Sequence, residues 1–135
     1  MKRSDFDNYF KLFNARKYDE FIQYYADDLV YVMDAANDKI FYGTKELTDM
    51  YKELHQYLEE EVSIEHIAIT DTFISVSVPT TLTCIKDFDV DGFAFKSKKG
   101  DVCHMVAFIF YDLNAEGKIN KIRVAIQSME IIPAK

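Results

Sequence analysis

The sequence predicts an α+β domain, and three observations carry that prediction. Apolar residues recur at helical spacing in three stretches of the first sixty positions. From Val62 onward the chain changes to segments rich in Val, Ile, Thr and Phe. Turn-forming residues bound each of those segments. Helices grouped ahead of strands indicate α+β rather than an alternating parallel fold. With 135 residues and a hydrophobic fraction of 49%, one core is enough, so 1–135 reads as a single domain.

Ser4 followed by Asp7 reads as a helix start, a side-chain oxygen accepting a free backbone N–H. Phe6, Tyr9, Phe10 and Phe13 then fall at i, i+3, i+4 and i+7, one face of a first helix. Asn14-Ala15-Arg16-Lys17 interrupts it, and a second helix is predicted over roughly 18–26, burying Phe21, Ile22 and Tyr25. Leu29 to Met33 is β-branched and aromatic and reads as a short strand, followed by a loop over 34–38 and a short return strand over 39–42. Thr44 reads as the N-cap of a third helix over about 45–60, whose stripe is Leu47, Met50, Tyr51, Leu54 and Leu58. His55, next to Leu54, is expected to be exposed. Segments 62–70, 73–87, 101–113 and 118–128 then form a four-stranded antiparallel meander.

In segment 101–113, Val102, Val106, Phe108 and Phe110 alternate with Cys103, Met105, Ala107 and Ile109, so both faces are apolar. An antiparallel sheet normally keeps one face polar. One face covers the helices, and the other calls for a partner, of which a symmetric homodimer is the commonest form.

Composition excludes several functions. With 16 Lys+Arg against 23 Asp+Glu the net charge is −7, which disfavours nucleic-acid phosphates and anionic lipid. No apolar run approaches the roughly 20 residues that span a bilayer. The start, MKRSDFDNYF, does not read as a signal peptide, and Cys84 and Cys103 are expected to be reduced thiols in a cytoplasmic protein. His55, His66 and His104 lack the spacing of a metal site. The run Asp87-Phe88-Asp89-Val90-Asp91-Gly92 matches half of a calcium loop, but Lys98 stands where a bidentate Glu is needed, and the segment reads better as a hairpin tip reaching over a pocket mouth or a partner.

Several motifs resemble the NTF2-like superfamily, above all its SnoaL-like and ketosteroid-isomerase-like members. NARKYDEFIQYYADD over 14–28 is similar to that family's helix, break and helix; Tyr42-Gly43-Thr44 resembles its glycine start ahead of the third helix. Lys99-Gly100-Asp101 sits at a turn position, and Glu116-Gly117-Lys118-Ile119 resembles its final hairpin. The resemblance implies a cone of three N-terminal helices packed on a curved antiparallel β-sheet, open to a small hydrophobic carbonyl compound. It also implies proton-transfer chemistry without a cofactor or metal: isomerisation, aldol cyclisation or dehydration. Ketosteroid isomerases pair an Asp base with a Tyr donor and a protonated Asp as second donor. Asp34 falls at the base position, Tyr9 at the tyrosine position, and Ile109 where the second donor would stand. The lining is expected to draw on Tyr31, Tyr51, Met105, Ile109 and Ile126, with His66 as a further acid–base candidate.

Each candidate also has a plainer reading. Asp34 can cap the 34–38 turn, and Tyr9 can be a core tyrosine with its hydroxyl satisfied. The alternative function is therefore a noncatalytic small-ligand-binding or dimerisation module. The Arg–Asp–Arg chemistry of the superfamily's epoxide hydrolases is disfavoured, because Arg123 alternates with Ile122 and Val124 and so faces away from the pocket.

Overall fold

A computed structural model describes residues 1–93 and 96–135. Helix α1 spans Arg3–Asn14, and the short α2 spans Tyr18–Phe21 and runs into a 3₁₀ turn at Ile22–Tyr24. Strands β1 (Tyr25–Asp34) and β2 (Lys39–Tyr42) follow, then α3 (Gly43–Leu54). The rest is strand: β3 (Leu58–Val62), β4 (His66–Ile69), β5 (Phe73–Cys84), β6 (Val102–Leu113) and β7 (Ile119–Ile132). The sheet order is β2-β1-β7-β6-β5-β3, with β4 also pairing β5. This is the α+β cone of the NTF2-like fold. Three helices close one side of a curled sheet.

The meander of β5, β6 and β7 is antiparallel, as expected, but the sheet as a whole is mixed: β1 runs parallel to β7, from Tyr25 opposite Ile119 to Val32 opposite Arg123. That pairing also corrects the second helix. Helical geometry ends after Tyr24 because Tyr25 and Ala26 are drawn into β1 and buried there. The third helix is likewise shorter than its apolar stripe suggests. It stops at Leu54, and Leu58 to Val62 pair with β5 instead.

Both predicted N-caps move. Helix α1 begins at Arg3, and the Asp5 carboxylate, not Ser4, accepts the Lys2 backbone N–H at 2.9 Å. At α3 the Glu46 carboxylate accepts the Tyr42 N–H at 2.9 Å, and Gly43 enters the helix at φ +84°, a conformation that L side chains adopt only with strain.

The stripe of α1 is buried as its period requires, with Phe6 fully inaccessible and Tyr9, Phe10 and Phe13 nearly so. In β6 the alternation holds: Cys103, Ala107 and Tyr111 are buried, while His104 and Phe108 are exposed. A bulge at Gln127 shifts β7 by one residue, so Ile126 opposes Ala107 and Met129 opposes Met105. The shift keeps Val124, Ile126, Met129 and Ile131 all paired with the inward row of β6. On the other face Arg123 lies over the Phe110 ring at 4.6 Å and near Asp112 at 3.5 Å, turned away from the cone as expected.

Candidate functional site

The cone encloses a cavity of about 430 Å³. Helix α1 contributes Tyr9, Phe10 and Phe13; β1 contributes Tyr31, Met33 and Asp34; α3 contributes Tyr51. Met105, Ile109 and Tyr111 of β6 and Ile126 of β7 complete the sheet wall. Asp34, Tyr9, Tyr31, Tyr51, Met105, Ile109 and Ile126 thus all border one space. His66 does not. It lies on β4 with its side chain 85% exposed, 3.8 Å from Glu65, because the inward positions of that strand belong to Ile67 and Ile69.

The wall is aromatic, and its polar atoms are phenols. The Tyr9 and Tyr25 hydroxyls are 2.6 Å apart, and Tyr51 donates to Tyr31 at 3.3 Å. Tyr9 also meets Tyr111 edge to face at 6.1 Å between centroids. Burial, the largest cause in each case, pushes Tyr9, Tyr25, Tyr51 and Tyr111 well above the ordinary phenol range and Tyr31 up to about 12. Near neutral pH these hydroxyls keep their protons and can act as hydrogen-bond donors.

Asp34 ends β1 at the rim. Its Oδ2 accepts from the Asn37 amide at 2.7 Å and its Oδ1 from the Asn37 backbone N–H at 3.4 Å, so it also holds the 34–38 turn. Lys39 stands beside it, donating to the Gly92 carbonyl at 2.6 Å, with its ammonium 4.1 Å from the Phe93 ring centre. Gly92 and Phe93 border the cavity, so the tip of the acidic hairpin reaches over its mouth. Two of that hairpin's acids are engaged within it: Asp89 pairs with Lys96 at 2.6 Å, and Asp87 accepts the Lys99 N–H at 2.9 Å. Positions 94–95 of the hairpin lie outside the described residues.

One pair was not foreseen from the sequence. His55, expected to be exposed, has a side chain only 5% accessible. It lies between Tyr51 and Tyr18, the rings stacked at 5.5 and 5.9 Å. Its Nδ1 meets the Tyr18 hydroxyl at 2.6 Å and its Nε2 meets Glu60 Oε1 at 2.8 Å. A carboxylate only accepts, so Nε2–H donates to Glu60. Glu60 borders the cavity from β3, opposite in the sheet order to Asp34 on β1. The available signal was the two-residue alternation of Leu58, Glu60 and Val62, which turns Glu60 to the inner face while Glu59 and Glu61 face water.

Comparison with known proteins places this geometry. The family model described as SnoaL-like domain matches residues 6–122. No curated protein matches the chain. Among solved structures, a SnoaL-like polyketide cyclase from Agrobacterium tumefaciens is 16% identical at a TM-score of 0.74, with 95% of this chain and 94% of that one covered. The epoxide hydrolase/cyclase-like enzyme SalBIII, which has a role in pyran ring formation in the polyether salinomycin, is 14% identical at 0.75, covering 96% and 95%. A computationally designed 17-OHP binder is 14% identical at 0.71, covering 95% of each chain. At such identities the likeness establishes the fold.

Proposed function

The chain belongs to the SnoaL-like domain family, and on that premise we propose that its cone takes up a small hydrophobic carbonyl compound and moves a proton on it. The observation that carries this reading is a single aromatic cavity bordered both by a carboxylate at its rim, Asp34, and by a buried phenol, Tyr9. Asp34 takes a proton from the carbon next to the carbonyl, and the C–H electron pair passes into an enolate. Tyr9 donates to the enolate oxygen. The proton returns to carbon for isomerisation. In aldol cyclisation the enolate carbon instead attacks a second carbonyl and the alkoxide formed takes the proton back from Asp34, and in dehydration the β-hydroxyl leaves with that same proton as water. Removing one such oxygen donor costs about 3 kcal/mol of barrier.

The test is turnover of a panel of cyclic and acyclic ketones. Asp34→Asn is expected to lose roughly 100-fold or more in rate while keeping ligand affinity. Equal rates in the two proteins would eliminate Asp34 as the base. The second reading, a binding module without turnover, is favoured by Ile109, which puts an aliphatic side chain where the resemblance expects a second donor, and by the hold of Asn37 on Asp34. Ligand binding with no conversion of any compound by wild type would favour that reading.

We also propose a homodimer through the outer sheet face, where Phe108 is 50% exposed beside Ala125. Light scattering at micromolar concentration should give twice the 15.8 kDa chain mass, and Phe108→Lys should return it to one. A wild-type protein that scatters as a monomer removes the dimer.

A further inference from the structure

Glu60 is nearly buried, with 13% of its side chain accessible, and only one of its oxygens is satisfied by the protein. Oε1 takes the Nε2–H of His55, and Oε2 has no hydrogen-bond partner among the described residues. Oε2 is not sealed in, since it keeps some accessible surface, and on a residue that borders the cavity such an acceptor can take a donor from a ligand. The residue is fixed on every side but the cavity. Its backbone carbonyl accepts from the Arg16 guanidinium, and Tyr18 and Tyr51 hold the His55 ring that bonds it. The phenols on this side of the wall keep their protons, so no ionised base competes for a donor there. Among the described lining residues the only cation is Lys39, which is committed to Gly92 and Phe93 at the mouth.

We propose that Glu60 is the anchor for a hydroxyl group on the ligand, with His55 as its positioning residue. The ligand class is thereby narrowed to neutral, hydrophobic hydroxy compounds, a hydroxy-carbonyl where turnover occurs, with the hydroxyl at the β3 wall. Anionic ligands are repelled there. The proposal rests on the cone being a small-molecule pocket, and its test separates the two.

The probes are 2-naphthol, 2-methoxynaphthalene, which has similar bulk but no donor, and 2-naphthoate, which carries an anion. Binding is followed by probe fluorescence at neutral pH. Wild type should bind 2-naphthol roughly 10- to 100-fold more tightly than either other probe, the worth of a hydrogen bond to a charged group. Glu60→Gln should abolish the preference for 2-naphthol over 2-methoxynaphthalene and leave the affinity for the latter within about twofold. His55→Phe should shrink the same ratio, which a merely structural loss, weakening both probes alike, would not do. The wild-type comparison needs no variant to fold. Equal binding of the naphthol and its methyl ether overturns the Glu60 assignment while leaving the pocket intact, and so does a preference that survives Glu60→Gln. Failure of both neutral probes to bind overturns the pocket reading and this assignment with it.

Discussion

Raising the pH from 10 to 12 is expected to unfold this protein cooperatively, and the buried tyrosines are the reason. Tyr9, Tyr25, Tyr31, Tyr51 and Tyr111 are all held above the phenol value of 10.0 by loss of hydration, Tyr31 to about 12. An acid whose folded value is raised keeps its proton in the native state after the unfolded chain has lost it. Stability from such a group is complete below pH 10 and is lost as pH rises toward the folded value. Tyr31 alone accounts for roughly 3 kcal/mol across that window. A domain of this kind holds only about 5–15 kcal/mol in all, so a few coupled phenols exhaust it. Tyrosinate absorbance and far-UV circular dichroism, recorded together against pH, should change in one step. Gradual ionisation of all nine tyrosines near pH 10 with the circular dichroism unchanged would contradict the burial of the cluster.

The same cluster shows where a single sequence is readable. The α1 stripe was legible because a helix repeats its neighbours every 3.6 residues, so local spacing alone turns Phe6, Tyr9, Phe10 and Phe13 inward. The β6 alternation was legible for the corresponding reason at period two, and it set Met105 and Ile109 on the cavity side. Tyr25-Ala26 reads as the end of a helix from local spacing, but what makes it strand is its pairing with Ile119 and its neighbours, far along the chain. No local pattern encodes that partner. Glu60 was lost for a different reason. Inside Glu59-Glu60-Glu61 a charge run reads as a solvated helix end, and the helix stripe through Leu58 reads as continuous. Only the burial of His55, a contact across α2, α3 and β3, distinguishes the middle glutamate from the two beside it. Asp34 and Tyr9 were set at one pocket by the family resemblance rather than by local pattern, for β1 carries an irregularity between Val32 and Asp34 that no spacing encodes. His66 could not be placed, since both registers of its segment contain apolar residues and the choice is made by pairing with Ser77.

The largest mutational effect on stability is expected at Phe6. The residue is not among those lining the cone's cavity and is wholly inaccessible, yet it stands directly behind the site. Its ring packs on Phe10 at 4.7 Å, on Tyr111 at 5.3 Å and on Tyr9 at 5.7 Å, and those three border the cavity in front. Phe6→Ala removes the transfer energy of the ring and leaves a void that rigid aromatic neighbours fill poorly, a loss of about 3–5 kcal/mol. At about 2–4 °C per kcal/mol, the melting temperature should fall by roughly 10 °C. The exposed Tyr42, 60% accessible, supplies the control: Tyr42→Ala should stay within about 0.5 kcal/mol of wild type. The void should also free Tyr9 and Tyr111 to tilt back, slackening the 2.6 Å contact of Tyr9 with Tyr25. Ligand affinity would then fall below that of wild type at temperatures where Phe6→Ala remains folded. A variant that melts within about 1 kcal/mol of wild type would mean that helix α1 is not packed on the sheet through this ring. The aromatic wall of the cavity would then need another support.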